Sequence, residues 1–176
     1  MNNRSLLFPC RITGFTARLA VLTLLLIAAP VNSGASPYSL EVHKSAQELV
    51  IKEGSEIIKR FRIAFGKGGI GSKRQRGDNK TPAGAYKIME FSADSKFHFF
   101  RLINYPNTLD AWHGYKDNLI SAGQFKEIVM ANKNDIVPPQ NTSLGGYIGL
   151  HGIGDVTEEK LSIHDRNNWT EGCIAL

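Results

Sequence analysis

Two side chains in this sequence have the chemistry of a nucleophile and its proton acceptor. Cys173 sits in Trp169-Thr170-Glu171-Gly172-Cys173-Ile174, and His151 closes a strand-like run and is followed by Gly152. A thiol attacks carbonyl carbon only as thiolate, and an imidazole is the side chain best suited to take its proton near neutral pH. Cys10 lies in a stretch that reads as a removable leader, which leaves Cys173 alone. Oxidising compartments tend to pair cysteines, so a lone one is either a buried filler or a thiol kept for its reactivity. Gly172, lacking a Cβ, permits a tight turn whose N–H groups face a developing oxyanion, each such donor being worth roughly 3–4 kcal/mol. Gly152 lets backbone or substrate come close beside His151. His43 and His98 fall in predicted strands, His113 on a predicted surface helix and His164 in a polar stretch. Residue types alone leave two other readings open. One is a buried structural cysteine. The other is a zinc site of His151, His164 and Cys173, although no close-spaced ligand pair is present.

The elements that must position these groups read mostly as strands. Leu40 to His43 and Glu48 to Lys52 are followed by a turn at Glu53-Gly54-Ser55. Phe61, Ile63 and Phe65 then alternate with Arg60, Arg62 and Ala64, the pattern of a half-buried antiparallel strand. Gly66 to Gly84 contains Gly68, Gly69, Gly71, Gly77 and Pro82, so turn chemistry must order it. Its cations, Lys67, Lys73, Arg74, Arg76 and Lys80, read as a solvated loop or as a face toward an anionic polymer. Ala85 to Phe91 and Phe97 to Ile103 return to strand character. Thr108 is the expected N-cap of a helix over Leu109 to Tyr115, and Ser121 of a second carrying Phe125, Ile128 and Val129, ended by Pro138-Pro139. Tyr147 to Leu150 reads as the strand that delivers His151.

With 176 residues, 42% hydrophobic and 21% charged, and 17 glycines, the chain has the composition of one turn-rich globular domain. The expected class is mainly β with one or two short helices. Residues 1–36 have the layout of a signal peptide: Arg4, Arg11 and Arg18, an apolar run from Leu19 to Ala29, then Ser33-Gly34-Ala35-Ser36. As a helix that run covers roughly 16 Å, short of a hydrocarbon core of ~30 Å, so no stable membrane span is expected. Cys10 precedes the run, which argues against a lipidated cysteine, and it should leave with the leader. Export to the periplasm or cell envelope follows. The formal charge of +5 includes those three leader arginines, so the remainder is mildly basic and nucleic acid is not implied.

Four separated segments carry a more specific signal. They are Phe65-Gly66 with Gly77-Asp78-Asn79-Lys80-Thr81-Pro82-Ala83-Gly84-Ala85-Tyr86; Asn104-Tyr105-Pro106-Asn107; Leu144-Gly145-Gly146-Tyr147-Ile148-Gly149-Leu150-His151-Gly152; and Trp169-Thr170-Glu171-Gly172-Cys173-Ile174-Ala175-Leu176. In this order and spacing, residues 38–176 resemble the L,D-transpeptidase (YkuD) catalytic domain of bacterial cell-wall enzymes. The resemblance implies a β-rich sandwich or barrel in which Cys173 is the nucleophile and His151 the general base and acid. It implies a thioester with a peptidoglycan stem peptide, passed to an amine of another stem peptide or of a wall-linked protein, without metal or organic cofactor. Two alternatives stay beside it: a cysteine amidase or endopeptidase that hydrolyses wall peptide links, and an inactive wall-binding module. The commonest family pattern, Ser-His-Gly-Cys followed by Arg, is altered. Thr170-Glu171 precede Gly172, and Ala175 stands where the Arg would be, as in a branch with Trp-Thr-x-Gly-Cys. The resemblance therefore does not carry over how substrate carboxylates are held or which acyl donor and acceptor are used, and Glu171 is placed to repel or orient a charged substrate. Because family domains continue beyond this point, the domain is expected to be truncated at Leu176.

Overall fold

The computed structural model describes residues 37–93 and 95–176; the expected signal peptide lies outside them. Three antiparallel strands, β1 (Tyr38–His43), β2 (Glu48–Glu53) and β3 (Glu56–Arg62), form one sheet in sequence order. The second sheet runs β4 (Ile88–Ser92), β5 (Phe100–Ile103), β6 (Gly149–His151), β7 (Ile174–Ala175), antiparallel except for the parallel β6–β7 pair. Three short α-helices, α1 (Thr108–Lys116), α2 (Ala122–Lys133) and α3 (Glu158–Arg166), lie among the described residues, and a single 3-10 turn, Lys44–Ala46, joins β1 to β2. The fold is mainly β, as its composition suggests, and neither sheet closes into a barrel. Among the described residues no helix is long and apolar enough to cross a membrane.

The two sheets meet at the end of the chain. The alternation expected through Phe65 stops at Arg62, because Ile63, Ala64 and Phe65 are all buried. There the chain leaves β2 and pairs with the C-terminal segment: Ala64 N–H donates to Ala175 O (3.1 Å) and Ala175 N–H to Ala64 O (2.8 Å). With both faces covered, a strand loses its polar side. The core lies beneath this junction, where Leu49, Ile63, Ile103, Tyr105, Ile148, Leu150 and Ile174 pack together. Each such side chain contributes about 1.5–3 kcal/mol by leaving water. A second cluster, Ala111, Ile120, Ile128 and Leu144, fastens α1 and α2.

Several boundaries differ from the sequence reading. Phe97 to Phe99 are not strand: His98 has φ 70 and its N–H closes a turn onto Ser95 O at 2.7 Å, so β5 starts at Phe100. The strand before His151 is Gly149–His151, since Tyr147 takes a left-handed φ of 56 that breaks an extended run. Asn107 rather than Thr108 caps α1. Its side chain accepts from Leu109 and Asp110 N–H while the Asp110 carboxylate accepts from Asn107 N–H, a reciprocal box that Thr108 does not form. Ser121 caps α2 as expected. The polar stretch around His164 is the helix α3, capped by Thr157. Lys73 is not solvated: it is 3% exposed and paired with Asp78 at 2.9 Å.

Candidate active site

Backbone pairing brings the two candidate groups to one sheet. Leu150 pairs with Ile174 and His151 with Ala175, so one step back in the register Cys173 lies beside Gly149. Side chains repeat every two residues along a strand, which sets positions 149 and 151 on one face of β6. Cys173 Sγ donates to Tyr147 O at 3.5 Å, and the backbone of Gly149 lies near enough to favour the thiolate. The thiol's hydrogen bonds in this arrangement are therefore to backbone and not to the imidazole.

The imidazole is fixed in orientation. His151 Nδ1 lies 2.7 Å from Gly152 O, and a carbonyl can only accept, so Nδ1 carries the proton and Nε2 keeps its lone pair. Phe97 stacks on the ring with centroids 4.2 Å apart, and Trp169 meets it edge-on at 5.8 Å. The residue is buried. Burial holds its pKa below the ordinary imidazole value, and nearby Lys96 and His164 push the same way against the Gly152 bond. Cys173 shifts in the opposite direction: burial raises the thiol, Glu171 adds to this, and the Gly149 N–H and Lys73 offset part of it. Both groups are thus neutral at neutral pH, a thiol and an imidazole rather than an ion pair.

The turn carrying Cys173 is clamped from two directions. Thr170 Oγ1 donates to Cys173 O at 2.6 Å and accepts the Gly172 N–H at 3.2 Å. Thr81 Oγ1 donates to the same carbonyl at 3.5 Å and accepts Gly66 N–H at 2.9 Å. Gly172 has φ 139, and a Cβ there would lie 2.9 Å from both Ile148 Cδ1 and Lys80 O, so no other residue fits without displacement. Its N–H, expected to face an oxyanion, is engaged by Thr170 here. Gly152 serves His151 through its carbonyl, and a Cβ on it would stand 2.4 Å from Phe97 O.

Beneath the turn, the glycine-rich loop folds around Asp78. Burial alone would raise this carboxyl, but N–H groups of Arg74, Gln75 and Lys80 together with the Lys73 ammonium outweigh it and leave the group below the ordinary carboxylate value. Glu171 is exposed, with Lys67 Nζ at 3.7 Å. His164 is buried, its Nδ1 without a hydrogen-bond partner. His43, His98 and His113 take no part in this arrangement. Among the described residues no three His, Cys, Asp or Glu side chains gather as a metal site. Thr81, Thr170 and Trp169 entered the sequence reading only as members of the family-like segments, without roles of their own, and Phe97 only as a strand residue. Only Thr170 had a local signal, a hydroxyl three residues before the cysteine where a turn was already expected.

Comparison with known proteins gives one extended match: the family model described as YkuD, L,D-transpeptidase catalytic domain, matches residues 37–176. YafK of Escherichia coli (strain K12), whose name assigns it provisionally to the L,D-transpeptidases, is 30% identical over 87 residues, 46% of this chain and 35% of that protein. YafK of Escherichia coli O157:H7 matches to the same extent. The chain thus spans about a third of the length of these relatives. Among solved structures, that of Bdellovibrio bacteriovorus Bd1075 aligns with a TM-score of 0.44 and 22% identity, over 80% of this chain and 40% of that one.

Proposed function

The chain belongs to the L,D-transpeptidase catalytic domain family, and from that premise we propose that it is an exported acyltransferase which modifies peptidoglycan through a thioester on Cys173. The observation that carries this reading is the Nδ1 bond of His151 to Gly152 O, which leaves Nε2 as the free base on the face shared with the thiol turn. The mechanism requires the Cys173 side chain to swing its proton from Tyr147 O to Nε2 when substrate enters.

In the first half-reaction the sulfur attacks the carbonyl carbon of the L-centred diamino acid in a stem peptide while its proton passes to Nε2. The negative oxygen of the tetrahedral intermediate is met by backbone N–H groups of the Gly172–Cys173 turn, Gly172 exchanging the Thr170 hydroxyl for the substrate oxygen. Collapse breaks the peptide C–N bond. The amine of the terminal D-residue leaves with the proton held on Nε2, and the acyl group stays on sulfur. In the second half-reaction an acceptor amine gives a proton to Nε2, forms the new amide and expels the thiolate, which His151 reprotonates. Burial favours this sequence by keeping His151 unprotonated and ready to accept. Delivery to the envelope is assigned to the leader over residues 1–36.

The test is to incubate isolated cell wall with the full-length protein and with Cys173→Ala, and to identify products by mass. The expected result is an acyl-enzyme on Cys173 and new amide cross-links or wall-linked amines, with none from the variant. Release of free stem peptides without new amides would make water the acceptor and the enzyme a hydrolase. No acyl-enzyme and no change in the wall would leave only wall binding.

A further inference from the structure

A cavity of about 370 Å³ lies beside the candidate base, lined by Lys96, Phe97, Ile153, Lys160, Ile163 and Trp169. Its size is in the range that holds a small ligand. Phe97 and Trp169 are the two rings that contact the His151 imidazole, so the cavity's aromatic wall is also the support of that imidazole. The floor is apolar and two ammonium groups border it. Lys96 Nζ sits 5.0 Å from the Phe97 ring centroid, and Lys160 Nζ donates to Asp155 O at 2.8 Å. Neither lysine has a carboxylate partner among the described residues, although carboxylates are close in sequence. Asp155 carries its side chain into solvent near His98, and Glu158 and Glu159 are exposed on the first turn of α3.

Position 175 cannot contribute to anion binding, since Ala175 is fully buried against Ala64. Two ammonium groups without a carboxylate partner among the described residues border this apolar cavity. We propose that this cavity seats the carboxylate-bearing end of the acyl-donor peptide, a small apolar residue lying on Phe97, Ile153, Ile163 and Trp169 with its carboxylate between Lys96 and Lys160. The proposal rests on the acyl-donor reading above and adds the part of the substrate that is recognised. Selectivity then lies in the donor's free terminus: an amide in place of the carboxylate removes both charge-assisted bonds while keeping the apolar contact. The carboxylate lies one residue beyond the scissile bond and is itself neither made nor broken, so the grip orients the peptide for attack.

The experiment measures binding of a stem tetrapeptide, as free acid and as C-terminal amide, to the full chain carrying Cys173→Ala by calorimetry, and acylation of the unaltered chain by intact mass. The acid should bind about tenfold tighter than the amide. Lys96→Gln with Lys160→Gln should abolish that preference, and Lys96→Arg with Lys160→Arg should restore most of it. In turnover the Gln pair should raise KM for the acid by more than it changes kcat. Equal affinity for acid and amide, or a preference that survives the Gln pair in a protein with unchanged melting temperature, would overturn the proposal. A thioester forming equally fast from both peptides would overturn it too while the acyl-transfer reading stands. A carboxylate preference without any thioester would support this seat and remove the acyl-transfer reading.

Discussion

At the scale of single residues, charge state decides what the candidate site can do. Burial raises the Cys173 thiol and lowers the His151 imidazole, so the pair rests neutral. Alkylation of Cys173 by iodoacetamide should therefore accelerate continuously past the ordinary thiol range. A rate plateau at pH 5–6 would reveal a standing thiolate–imidazolium pair instead. The same burial makes stability depend on pH. His151 titrates lower in the folded chain than in the unfolded one, where it has its ordinary value of about 6.5. Its contribution is complete above that value and is lost as pH falls through the lowered folded value. Melting temperatures recorded from pH 7 to pH 5 should fall less steeply in His151→Gln than in the unaltered chain. Asp78 offers a larger effect: Asp78→Ala strips the partner from a Lys73 that is 3% exposed and frees three backbone N–H groups. Urea denaturation should show a loss of about 3–5 kcal/mol, the usual result of stranding a buried charge. Cys173 and His151 stand out as candidates in the sequence because of their chemical types. The burial of Lys73 does not, because a lysine in a glycine-rich loop has no local mark of the carboxylate that folds over it.

At the scale of elements, the turns and caps decide where the strands begin. Asn107→Ala removes both bonds to the first turn of α1 and should cost about 1 kcal/mol in chemical denaturation, whereas Thr108→Ala, one residue later, should cost much less. Both residues are cap-forming types, and only the reciprocal bond from Asp110 separates them, which is why the sequence reading fell one residue late. The helix α3 escaped notice for a different reason. His164 is its buried residue while Leu161 and Ile163 stay over 40% exposed, so it presents no apolar stripe. Thr157 followed by Glu158 and Glu159, with His164 and Arg166 at the other end, was the readable signal. Gly149 joins strand geometry to the thiol. A Cβ there would stand 2.3 Å from Arg101 O and 2.8 Å from Phe100 Cζ, so Gly149→Ala must push β6 away from β5. A loss of about 1–3 kcal/mol is expected by thermal denaturation, with slower alkylation of Cys173 by iodoacetamide because the backbone that favours its thiolate moves.

At the scale of the whole molecule, the strand content was legible from alternation and turns, while the joining of the two sheets was not. Alternation through Phe65 reports that one face is covered; nothing near Ala64 in the sequence names Ala175 as its neighbour. The clamp from Thr81 to Cys173 is equally hidden, since it links residues 92 apart. Those distant partners also determine the order in which the molecule can assemble. The contact of Ala64 with Ala175 closes a loop of about 110 residues, an entropic penalty incurred before the core around Ile63 and Ile174 can form. Non-local strand pairing of this kind places refolding on the millisecond-to-second scale. During synthesis the apolar side chains around Ile63 accordingly stay uncovered until residue 175 has been made, an interval in which they are open to wrong partners.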